Sequence, residues 1–83
     1  MREPFNGFRY GLASLFVRRP HLRCHASIAH WWVDELENYT VAIRACDKSR
    51  ADGNERLASE YERTCRRIED ELEGYLTAAE IQR

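Results

Sequence analysis

Apolar residues recur along two stretches of this chain at the alternating three- and four-residue spacing of one helix packed on another. The first reads Ala29, Trp32, Leu36, Tyr39, Ile43, Cys46. The second reads Leu57, Tyr61, Cys65, Ile68, Leu72, Tyr75, Ala79. A single break, Asp52-Gly53-Asn54, separates them. Gly53 can take the left-handed conformation that ends a helix. Asn54 is a good N-cap, and Glu55 then places a carboxylate in the first turn, where the helix dipole favours it. Gly74 costs about 1 kcal/mol in a helix interior but forces no break.

A connection this short predicts antiparallel helices. The two patterns then pair Trp32 with Tyr75, Leu36 with Leu72, Tyr39 with Ile68, Ile43 with Cys65, Cys46 with Tyr61 and Ala29 with Ala79. Each step down one helix is a step up the other.

Upstream, Phe5, Phe8, Leu12, Leu15 and Phe16 also keep helical spacing, and Pro4 suits a first turn. Gly7 and Gly11 weaken this helix. Pro20 punctuates and suits the start of the next one. The expectation is an all-α fold in one domain spanning residues 1–83. It has a short amphipathic helix over 4–18, a long helix over 20–51 and a second long helix over 54–82. The long pair forms the hairpin.

The first half of the 20–51 helix is apolar on several faces, through Leu22, Ile28, Trp31, Trp32 and Val33. The seam uses Trp32. Adjacent residues on a helix point about 100° apart, so Trp31 cannot share that seam. Ile28, Trp31 and Val33 need another cover: the N-terminal segment with Phe5, Phe8, Leu12 and Phe16, a second subunit or a target protein. Tryptophan is the residue most enriched at interface hot spots, so a homodimer through the face near Trp31 is expected.

Eighty-three residues bury only roughly 60–65% of their unfolded surface, which leaves small margins of stability. No apolar run approaches the ~20 residues of a membrane span, and no secretory signal is visible. The formal net charge of −1 conceals a division. Residues 1–25 hold five arginines against Glu3 alone, and the remainder is acidic. Such a split implies contact between the halves or a partner for one of them. Lys48 is the only lysine among thirteen basic residues. GC-rich coding produces that bias and points to a bacterium or one of its phages. Cys24, Cys46 and Cys65 are odd in number and widely spaced, which reads as reduced thiols in a cytoplasmic protein.

Candidate chemistry is sparse. His21, Cys24 and His25 would share a face of an α-helix, but a fourth ligand at structural-zinc spacing is missing. The trio is a weak metal candidate, and no cofactor is expected. His30 and Asp34 could orient an imidazole, but they have no nucleophile, phosphate loop or oxyanion donor beside them. The sequence therefore predicts no enzyme. Arg9, Arg18, Arg19 and Arg23 interleave with aromatics, as in surfaces that bind nucleic acid or a membrane. Their alternative is to pair with the acidic hairpin. Glu69, Asp70 and Glu73 form an acidic run that could compete for a basic groove on another protein.

The leading expectation is a non-catalytic protein-binding module, an adaptor or inhibitor. A phage or mobile-element product blocking a host protein or defence complex would fit. Its expected contact residues are Phe8, Arg18, Arg19, Ile28, Trp31, Val33, Glu69, Asp70 and Glu73. The alternative is a nucleic-acid-associated regulator using the arginine-rich N-terminal segment.

Overall fold

The computed structural model describes residues 5–81, with side chains through Ala79. The fold is all-α, and the described residues include no strand. Helix α1 spans Gly7–Arg18, α2 spans Val33–Ala51 and α3 spans Glu55–Ile81. A 3₁₀ helix, Pro20–Trp32, joins α1 to α2.

Helix α1 starts at Gly7 because Asn6 caps it, its side-chain oxygen accepting the Arg9 amide at 3.0 Å. The expectation that Pro4 opens the helix falls on a residue outside the described ones. Arg19 leaves helical geometry, and its amide still donates to the Leu15 carbonyl at 2.7 Å.

The long helix expected over 20–51 is two elements. Leu22, His25 and Ile28 are buried at three-residue intervals, with exposed residues between them. A 3₁₀ helix has three residues per turn, so this spacing stacks all three on one face. The run stops at Trp32, whose backbone (φ −119°, ψ 43°) lies outside the helical region. Helix α2 then begins with Asp34 and Glu35 in its first turn, which suits the dipole.

Between α2 and α3, Gly53 has φ +79°, and the Asn54 side chain caps α3 by accepting the Leu57 amide at 3.1 Å. Contacts between the two helices step away from this turn. Arg50 meets Glu62, Tyr39 meets Glu69, and the Trp32 and Tyr75 rings stack 6.1 Å apart at 5°. Leu36, Tyr39, Ile43, Cys65 and Leu72 belong to one buried core with Leu15, Leu22 and Ile28.

The seam of α3 differs from the expected one. Its inward residues are Ala58, Glu62, Cys65, Glu69, Leu72, Leu76 and Ala79, spaced by four and three throughout. Leu57 and Tyr75 sit at the exposed edge. Two glutamates therefore occupy seam positions that a purely apolar pattern passes over.

Helix α1 folds back across α2 and closes the other side of the core. The approach is close at Gly11, where a methyl group would meet the Leu36 carbonyl and, at 2.7 Å, the Thr40 hydroxyl. The Thr40 hydroxyl in turn lies against the carbonyls of Gly7 and Leu36. Phe8, Leu12 and Phe16 pack on the core from α1.

Candidate functional site

Two features stand out from a plain helical core. One is a charged network at the end of α1. The other is an exposed aromatic face at the start of α2.

The network centres on Glu69, which is 4% exposed. Its carboxylate accepts the Arg18 guanidinium at 3.0 Å and the buried Tyr39 hydroxyl at 2.7 Å. Arg19 lies 3.6 Å from the same carboxylate, and donates to Asp70 at 2.7 Å and Glu73 at 3.0 Å. His21 closes on Glu73 at 3.1 Å. A buried carboxylate needs this number of partners, because a lone charge in a core is strongly destabilising. Burial, followed by the hydrogen bond to Glu69, raises the pKa of the Tyr39 phenol and keeps it protonated. Burial also pushes the Cys65 thiol up to about 11. That thiol is a packing group and not a nucleophile at neutral pH.

Arg18, Arg19, Glu69, Asp70 and Glu73, expected as partner contacts, are thus brought together with one another. Arg18, Arg19 and His21 of the basic N-terminal third pair with the acidic helix of their own chain. Ile28, also expected at the interface, is 2% exposed and belongs to the core. The three-residue period of the 3₁₀ segment turns it inward. Phe8 is half-buried against the core. Trp31 and Val33 remain at the surface.

The weak metal trio is separated. Three residues per turn place Cys24 above His21, where its thiol donates to the His21 carbonyl at 3.3 Å, and turn His25 into the interior. Among the described residues no group of three or more His, Cys, Asp or Glu side chains is placed to hold a metal ion. Cys24, Cys46 and Cys65 form no disulfide.

The aromatic face is built by the break at Trp32. The irregular backbone there sends Trp32 onto Tyr75 of α3 and leaves Trp31 58% exposed. Four rings follow in contact. His30 meets Trp31 edge-on at 5.7 Å, Trp31 meets Trp32 at 5.9 Å and 58°, and Trp32 stacks on Tyr75, itself 42% exposed. Val33 extends the face. A groove of about 250 Å³ between α2 and α3 is lined by Glu35, Asn38, Arg67, Ile68 and Glu71, the last one helical turn before Tyr75.

The sequence pattern singled out Trp31 and Val33 but not Tyr75 as a surface residue, nor Glu35 and Glu71 as lining one groove. The four-three spacing from Ala58 to Ala79 would have placed Tyr75 at the edge, had glutamates been admitted to the seam. A second groove, about 340 Å³, lies between α1 and α2 and is lined by Tyr10, Val17, Arg18, Ile43 and Asp47 among others. No helix among the described residues is long and apolar enough to cross a membrane.

No protein-family model, curated protein or solved structure matches this chain. The functional reading rests on the site itself.

Proposed function

We propose that the protein is a non-catalytic protein-binding module, an adaptor or inhibitor built on an antiparallel helical hairpin. The observation that carries this reading is the exposure of Trp31 beside the Trp32–Tyr75 stack. Single exposed apolar residues are ordinary, but adjoining exposed rings make a contiguous patch of the kind that marks an interaction surface. The same residue types dominate the energetic centres of protein interfaces.

Two copies meeting at this face would form the homodimer expected from the sequence. A two-fold axis there would bring Asp34, Glu35 and Glu71 of one copy towards those of the other. Like charges in apposition oppose that contact, which favours a different protein as the occupant. The nucleic-acid alternative loses two of its four arginines, because Arg18 and Arg19 are already engaged by three carboxylates. The unpaired cysteines suit a cytoplasmic setting, where a product that blocks a host protein or defence complex would act.

Immobilised protein tests the reading. Trp31→Ala should keep the helical circular-dichroism signal and melt within a few degrees of wild type, yet fail to retain the proteins that wild type captures. Capture unchanged by the substitution would remove the aromatic face from the account. Loss of helicity would make Trp31 a core residue.

A further inference from the structure

We infer that the aromatic face takes up cationic side chains, arginine or lysine, presented by a segment of the partner protein. This rests on the protein-binding reading and names the chemistry of the partner. Three observations carry it.

The first is the ring geometry. Trp31 and Trp32 meet at 58°, and Tyr75 lies parallel to the half-buried Trp32, so the exposed Trp31 and Tyr75 rings present faces in two orientations. Indole faces are the strongest aromatic sites for a cation. This chain already shows the chemistry once, where the Arg44 guanidinium sits 4.4 Å over the Phe5 ring.

The second is the charge around the rings. Asp34 and Glu35 lie in the first turn of α2, directly after the tryptophans. Glu71 sits one turn before Tyr75 on α3. Glu35 and Glu71 converge from the two helices on one groove. Arg67 shares that groove wall, and the carboxylates outnumber it.

The third is the contrast with the carboxylates of α3 that meet Arg18, Arg19 and Arg50. Glu62, Glu69, Asp70 and Glu73 are each paired with a cation of their own chain. An apolar segment laid over the tryptophans would strip water from Glu35 and Glu71 and return nothing. A segment carrying arginine or lysine satisfies the carboxylates and the rings together. A second copy of this chain would bring its own acidic rim instead.

Three fluorescein-labelled synthetic peptides of one length test this, with leucine at helical spacing and arginine, glutamine or glutamate at all other positions. Binding to the full chain is read by anisotropy. Tryptophan fluorescence gives a second readout, because both tryptophans lie in the face. The arginine peptide should bind saturably and at least about fivefold more tightly than the glutamine peptide, with the glutamate peptide weakest. Trp31→Ala should abolish arginine-peptide binding. The double variant Glu35→Gln with Glu71→Gln should weaken the arginine peptide and narrow its advantage over the glutamine peptide, with the circular-dichroism spectrum unchanged.

Equal binding of the arginine and glutamine peptides, lost in Trp31→Ala, would overturn the cationic preference and leave the protein-binding reading standing. Arginine-peptide binding that survives Trp31→Ala would overturn the inference by placing the site elsewhere. Binding of none of the three peptides would overturn it as well, and capture by immobilised protein would then decide the broader reading separately.

Discussion

Gly11 and Gly74 show how much a residue's meaning depends on what stands opposite it. Both are helical glycines with the same intrinsic cost. Gly11 sits where α1 crosses α2, and an added methyl group would strike the Leu36 carbonyl and the Thr40 hydroxyl. Gly74 faces open space. Gly11→Ala should therefore destabilise the fold by about 1–3 kcal/mol through overpacking. Gly74→Ala should stabilise it by about 0.5–1 kcal/mol through helix propensity. Urea midpoints at unchanged slope would measure both. From the sequence both glycines read only as weak points, because their difference lies in a tertiary contact. Gly53 and Asn54, by contrast, were legible, since a left-handed turn and an N-cap are local demands.

At the scale of elements, the apolar pattern located α2 and α3 and their shared turn, and it placed Leu36, Tyr39, Ile43, Cys65 and Leu72 correctly in the core. It failed where polar residues do core work. Glu62 and Glu69 hold seam positions on α3, which shifts Leu57 and Tyr75 to the edge. It also failed at Pro20–Trp32, where the three-residue burial of Leu22, His25 and Ile28 resembles one face of an α-helix over so short a run. The break at Trp32 is a backbone event with no residue signature, and the aromatic face depends on it. The Glu69 network ties the end of α1 to α3, so Glu69→Ala should loosen that docking. The substitution leaves the Tyr39 hydroxyl buried without its acceptor and deprives two arginines of their shared carboxylate. A loss of about 2–4 kcal/mol is expected in chemical denaturation. Glu69→Gln keeps an acceptor for Tyr39 and should lose less.

For the whole molecule, the division between a basic first third and an acidic remainder resolves into an internal contact. That outcome was one of two open from the sequence, because charge counts do not say which partner a charge meets. It has a pH consequence. Arg19 and then His21 hold the Glu73 carboxyl below its ordinary value of 4.5, and Arg50, supported by Arg18, does the same for Glu62. The folded chain keeps these charges to lower pH than the unfolded chain does. Their stabilising effect is complete above the ordinary value and disappears as pH falls through the lowered folded values. The melting temperature should fall on acidification from about pH 5 to about pH 3, and Glu62→Gln with Glu73→Gln should flatten that decline. Both side chains are partly exposed, so the effect is modest and shrinks with salt.

The same pairing leaves Trp31 and Tyr75 exposed, and the central claim is that their face is open for a different protein. Light scattering on purified chain across a concentration series tests that most directly. The account predicts a single species at the 9.8 kDa monomer mass throughout the series. A dimer that dissociates in Trp31→Ala would contradict it, since the face would then be covered by a second copy of the chain.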